Sequence, residues 1–180
     1  MPSRDDYLQQ PLADRLARLA QTPDELSAAV RGQDDAALSR RASDGWSAKD
    51  VICHLRDIEE LVILRYHLML ADDNPKIFVV GAPPRDAEAW GIGGGVPFPL
   101  DPDRWRVERQ YERNDAVEAL GAFRRRREEV LAFLKSLSPE QWRRTCVHPE
   151  RGRVTFEDFA AGVASHDDNH MAQLRRALRG

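Results

Sequence analysis

The stretch TFEDFAAGVASHDDNHMAQLRRAL, residues 155–178, limits what this chain can fold into more than any other. Phe156, Phe159, Val163, His166, His170, Leu174 and Ala177 recur at spacings of three and four, the period of one helix face. Thr155 followed by Asp158 is a capping-box-like start. A core-facing helical stripe therefore runs through two histidines. At about 100° per residue, His166 and His170 lie one turn apart and about 40° off in direction, so both imidazoles can reach one point. Such an i, i+4 pair is a clamp for a metal ion, as in helices carrying H-x-x-x-H. The other reading makes both of them core histidines with satisfied hydrogen bonds. The pair alone leaves both readings open.

The rest of the chain shows the same period. Residues 5–31 predict a first helix with Leu8, Leu12, Leu16, Leu19, Leu26 and Val30 on its apolar side. Thr22-Pro23-Asp24-Glu25 within it is a helix-start signal, so an interruption or bend is expected there. Residues 33–46 are a connection with a short turn of helix around 35–40. Ser47, with Asp50 three residues on, caps a second helix that runs to Ala71. Its broad apolar arc predicts a central place in the bundle, with Trp46 packing at its start. A third helix spans about Asn114 to Ser136, with Val117, Leu120, Phe123, Val130, Leu131 and Leu134 apolar. Ser138-Pro139-Glu140-Gln141 starts a short helical turn, and HPERGR, residues 148–153, is a turn into the last helix. No convincing β-sheet or internal repeat is present. The expected fold class is all-α, a helical bundle formed as one domain over residues 1–180.

Residues 72–110 stand apart, because their prolines and glycines forbid a long helix. Ile77 to Val80 could form a short extended piece. A connection this long is often a lid or a wall of a site. The Gly93-Gly94-Gly95 run is no phosphate loop, since it follows no strand and no Gly-Lys-Ser/Thr comes after it.

At 180 residues there is room for one real core. A hydrophobic content of 42% with 32% charged residues describes a soluble globular protein, and a net charge of −3 gives no reason to expect nucleic acid. The basic run Arg124 to Arg127 is followed by Glu128 and Glu129, which predicts a solvated, salt-bridged face rather than a phosphate-binding patch. Cys53 and Cys146 make no disulfide framework and fit a reducing compartment. The polar N-terminus lacks the apolar core of a signal peptide, and no apolar window is long enough to span a membrane. The expected location is cytoplasmic.

Of the five histidines, His54 is the candidate to complete a site with His166 and His170. It lies inside the apolar arc of the second helix, between Val51 and Ile58. His67 points about 140° away from it, and His148, before a proline in a turn, is expected to be exposed. If the second and fourth helices are antiparallel neighbours, the three imidazoles meet at one level. Three neutral imidazoles leave coordination positions open, which suits a reactive site better than a structural zinc site. Asp50 and Asp57 lie within about 60° of His54. Either could orient an imidazole, or both could be surface caps and salt-bridge partners.

The segments WSAKDVICHLRDIEELVILR, residues 46–65, and GRVTFEDFAAGVASHDDNHMAQLRRAL, residues 152–178, resemble the DinB/YfiT-like superfamily of metal-dependent enzymes. In that family a W-S start precedes the helix carrying the first metal histidine, and an H-D-x-x-H-x-x-Q-L segment carries the other two. His54, His166 and His170 fall on those positions. The resemblance implies a four-helix bundle with a long crossover loop between helices 2 and 3, here residues 72–110. It also implies a divalent metal ion (zinc, nickel or iron, depending on the member) and a homodimer. Some relatives are S-transferases that use bacillithiol, mycothiol or related small thiols on electrophiles.

Three functions follow as expectations: a metalloenzyme performing thiol transfer or hydrolysis, a non-catalytic metal-binding stress protein, and a structural dimerisation bundle without metal. No membrane or nucleic-acid partner is expected, and no general acid or base stands out beyond the histidines. The late part of the long loop, with Trp90, Phe98, Trp105, Arg104 and Arg106, is expected to end near the metal's open side and to shape a pocket.

Overall fold

Capping signals set most of the helix starts. The computed structural model describes residues 2–81, 83–92 and 100–179. Ser3 and Asp6 exchange capping bonds at the start of α1 (Arg4–Leu8), and α2 (Leu12–Val30) follows Pro11. The break in the first helical segment thus falls at Gln9-Gln10, and α2 runs through Thr22-Pro23, where an interruption was expected. Its neighbours explain why. Proline offers no N–H to the carbonyl four residues back, and that carbonyl, of Leu19, accepts instead from Arg127 Nη1 at 2.8 Å. Thr22 does not act as a cap but donates its hydroxyl to Asp167 Oδ2 at 2.6 Å.

Asp34 caps α3 (Asp35–Ser39), and the Ser47/Asp50 capping box opens α4 (Ala48–Ala71). The crossover then carries a 3-10 turn at Glu88–Trp90, the short α5 (Pro102–Glu108) and a second 3-10 turn at Tyr111–Arg113. Asp115 caps α6 (Ala116–Ser136), and a Ser138/Gln141 capping box opens α7 (Pro139–Trp142). A hairpin of β1 (Thr145–His148) and β2 (Gly152–Thr155) leads into α8 (Phe156–Arg179). At the start of α8, Thr155 and Asp158 exchange the bonds of a capping box.

The hairpin corrects the expectation of no sheet. It is antiparallel, with Cys146 opposite Val154 and His148 opposite Gly152, whose φ of 70° suits a residue without a side chain. Strands of four residues are too short for an alternating pattern to show. Pro75 and Ile77 add an extended edge through backbone bonds to Val147. His148, expected in an exposed turn, is 5% exposed because the hairpin folds it inward. Val117, Leu64 and Leu68, apolar in the sequence pattern, face solvent.

The four long helices α2, α4, α6 and α8 form a four-helix bundle. Each of α4 and α2 packs against both α6 and α8. Glu59 meets Arg127 and Tyr66 stacks on Phe133, so α4 and α6 run parallel. His54 meets His170 and Tyr66 meets Phe156, so α4 and α8 run antiparallel. The parallel pair is what requires the long crossover, which returns the chain to the end where α4 began. Among the described residues no helix is long and apolar enough to cross a membrane.

The apolar core is in two parts, one around Leu19, Val62, Val130 and Val163, the other around Leu26, Ile52, Phe123 and Leu174. A polar layer lies between them: Thr22 on α2, Glu59 on α4, Arg127 on α6 and Asp167 on α8. All five N–H donors of Arg127 are used. Nε and Nη2 donate to the Glu59 carboxylate, Nη1 and Nη2 to the Asp167 carboxylate, and Nη1 also to Leu19 O, at 2.6–3.1 Å. Arg127 therefore departs from the solvated basic face expected of its run. Arg124 and Arg126 do lie near the surface, but they pair with Asp24 and Glu60 on other helices rather than with the following glutamates.

Candidate metal centre

His54 sits two turns into α4 and is buried, while His166 and His170 are partly buried on the facing stripe of α8. The three residues expected to converge do so: one ring nitrogen of each lies within 4.8 Å of the others, the one such cluster among the described residues. His54 Nε2 and His166 Nε2 face each other at 3.3 Å. Two nitrogens bound tetrahedrally at about 2.0–2.1 Å would lie roughly 3.3–3.4 Å apart. The Nδ1 atoms of His54 and His166 are buried without a partner. Burial, reinforced by the neighbouring imidazoles, holds both histidines well below the usual histidine range. Burial also lowers His170. All three rings are therefore neutral at physiological pH, the state in which imidazole ligates a metal.

The orientation of His170 is set by a relay. Gln173 Nε2 donates to Asp44 Oδ2 at 3.1 Å, which turns Gln173 Oε1 toward His170 Nδ1 at 2.8 Å. An amide oxygen only accepts, so Nδ1 carries the proton and the Nε2 lone pair is free. Trp46 packs edge-on against His54, ring centroids 5.5 Å apart, and its Nε1 donates to Asp103 Oδ1 at 2.9 Å. These residues fit a divalent cation held by three imidazole nitrogens.

Neither aspartate near His54 orients it. Asp50 belongs to the helix cap and pairs with Arg41. Asp57 takes bonds from Arg56, Arg109 and Tyr111; burial raises its carboxyl, but these partners hold it below the usual carboxylate range. Asp50 is thus a cap and Asp57 a salt-bridge partner, as in the alternative reading, but both are buried rather than on the surface. Gln173 was visible in the sequence only as part of a motif. Its spacing of three from His170 on a helix was the signal for its role. Neither cysteine is a nucleophile at neutral pH, since burial pushes both thiols up to about 12.

The sequence matches the DinB superfamily over residues 18–174. The chain belongs to the DinB superfamily. It is similar to the "Putative metal-dependent hydrolase OB0413" of Oceanobacillus iheyensis, at 24% identity over 154 residues covering 85% of this chain and 77% of that one. It is similar also to the "Putative metal-dependent hydrolase YfiT" of Bacillus subtilis, at 23% identity over 163 residues covering 89% and 80% of the two chains. A solved structure of Bacillus subtilis YfiT, described as "a probable metal-dependent hydrolase with an unusual four-helix bundle topology", matches with a TM-score of 0.75 at 21% identity, covering 99% of this chain and 89% of that one. This likeness establishes the DinB fold.

In this DinB chain a cleft of about 340 Å³ lies between α4, α8 and the hairpin, and His166 is among its lining residues. Ile58, Val62 and Val163 form apolar walls, and Val79, Val80 and Gly81 close one side. Among the described residues the long loop thus reaches the cleft through its early part, not through the aromatics expected to do so. Trp90 packs with Phe78, and Trp105 is buried under Arg109. Arg106 lies over Trp46, so α5 does approach the His54 end. Phe98 and the triple glycine lie outside the described residues.

Proposed function

We propose that this protein is a divalent-metal-dependent hydrolase in which His54, His166 and His170 hold the metal and the α4–α8 cleft holds the substrate. The observation that carries this reading is the convergence of three neutral imidazoles, one of which, His166, also lines a cleft large enough for a small molecule. The names of the relatives point to the same class of chemistry. An all-imidazole donor set suits zinc, nickel or iron, with zinc and nickel foremost. A divalent ion with open coordination positions supplies Lewis acidity and makes a water or thiol ligand acidic near neutral pH. His54 and His166 turn their Nε2 atoms toward each other, Gln173 fixes the His170 tautomer, and Ile58, Val62 and Val163 give the cleft apolar surface for a substrate.

The test is elemental analysis of the purified protein, followed by a panel of ester and amide substrates with and without small thiols. One metal per chain is expected, with hydrolysis that stops on chelation and in His166→Ala. A metal-free protein, or hydrolysis indifferent to chelator, overturns the reading. Turnover that requires an added thiol replaces hydrolysis with thiol transfer.

A further inference from the structure

Arg65 lies eleven residues beyond His54 on α4. At 3.6 residues per turn that is about 20° from the His54 direction and about 16 Å further along the helix. The residue lines the same cleft as His166, yet it is only 7% exposed. Among the described residues it has no hydrogen bond or ion pair, and its Nη2 is buried without a partner. Burial lowers its guanidinium to about 10, which still leaves it charged at neutral pH. The nearby Cys146 thiol is protonated and does not neutralise it. A buried cation without a counter-charge destabilises a fold, and no hydrogen bond or ion pair among the described residues offsets this one. Arg127, two turns away on another helix, shows how the same fold treats a structural arginine: every donor is matched.

A second donor faces the same space. His148 Nδ1 accepts from the backbone N–H groups of Glu150 and Arg151 at 3.1 and 3.3 Å. The ring proton therefore sits on Nε2, and the neutral imidazole is a donor. The acidic groups lining the cleft do not compete for Arg65. Asp158 is occupied by the Thr155 cap and Arg4, and Glu150 is exposed. Ile58, Val62, Phe159 and Val163 give the same cleft apolar surface.

We propose that Arg65 and His148 form an anion-recognising end of the cleft, which selects substrates with a carboxylate or phosphate on an apolar body and sets their reactive end at His166. The assignment of the reactive end rests on the hydrolase reading; the anion site itself stands without it. Arg65 is a specificity residue in this scheme, and its guanidinium presents the fork that a planar or tetrahedral anion accepts.

The test compares binding of octanoate, octyl phosphate and octanol to the purified protein, before and after chelation, by calorimetry. Wild type is expected to bind at least one of the two anions ten-fold or more tighter than octanol. The tighter anion names the substrate's head group. Arg65→Met is expected to lose that preference while octanol binding is unchanged, and to melt at or above the wild-type temperature because an unpaired charge has been removed. His148→Gln, which keeps the charge of the site, is expected to weaken anion binding by a smaller factor. Octanol bound as tightly as both anions, or anion binding unaltered in Arg65→Met, overturns the proposal. A lower melting temperature in Arg65→Met with unaltered anion binding marks the arginine as structural and overturns it as well. Anion preference that survives chelation upholds the anion site even in a protein that holds no metal, whereas stoichiometric metal without anion preference defeats this proposal alone.

Discussion

Arg127 and Asp167 share two charge-assisted hydrogen bonds, Nη1 to Oδ2 at 2.6 Å and Nη2 to Oδ1 at 3.1 Å, one residue along α8 from His166. Through Glu59 and Leu19 the same guanidinium reaches α4 and α2, so one side chain ties the four long helices at the level of the histidines. Burial pushes the Glu59 carboxyl up, against the pull of Arg127. The layer fixes the azimuth of α8, and with it the direction of His166 and His170.

Removing that cation should be costly. Arg127→Met leaves two carboxylates buried without a counter-charge, and a loss of about 3–5 kcal/mol is expected in chemical denaturation. Adding Glu59→Gln and Asp167→Asn should recover part of the loss, since the unpaired charges go with them. A single variant as stable as wild type would show that the layer is not a structural clamp.

His170→Ala should reduce bound metal and make the melting temperature insensitive to chelator. For a ligand at a hundredfold excess over its dissociation constant, binding to the native state alone adds about 2.7 kcal/mol. Differential scanning with and without chelator reads this directly. Equal shifts in wild type and variant would remove His170 from the site.

Gln173→Ala keeps all three histidines but releases the His170 Nδ1 proton from its acceptor. Metal affinity should fall by about 10- to 100-fold with little change in the stability of the chelated protein. Competition titration against a coloured chelator measures it. Asp44→Ala, one bond further out, should have a smaller effect.

His148 makes stability depend on pH. Burial, then the charges of Arg151, Arg65 and Arg4, lowers it to about 4 from its ordinary 6.5. Between those values the unfolded chain binds a proton that the folded chain refuses, so stability falls as pH drops from about 6.5 toward about 4. Above about 7 the group contributes nothing. His148→Gln should flatten that part of the melting-temperature profile, and an unchanged slope would assign the loss to other groups.

The sequence by itself determined the starts of the second and last long helices, Ser47/Asp50 and Thr155/Asp158, and the three histidines on buried stripes. Caps such as Ser47/Asp50 and Thr155/Asp158 act within one turn of chain, and a stripe of apolar residues names its buried face whatever it packs against. His54, His166 and His170 could be found because each lies on such a stripe. Arg127, Glu59 and Asp167 lie on stripes as well, between Phe123 and Val130, Leu55 and Val62, and Val163 and Met171. The Arg-rich surroundings of Arg127 nevertheless read as a solvated face. Whether a charge on an apolar stripe is buried depends on its partners, and these come from helices 40 and 68 residues away in the chain. Only the tertiary structure decided the rest: α2 runs unbroken through Pro23 because Arg127 takes the carbonyl that proline leaves free, His148 is buried because a four-residue hairpin folds it inward, and Arg65 lies unpaired in the cleft. Local patterns report how a segment will wind, while the matching of donors, acceptors and charges across the bundle exists only once the helices are brought together.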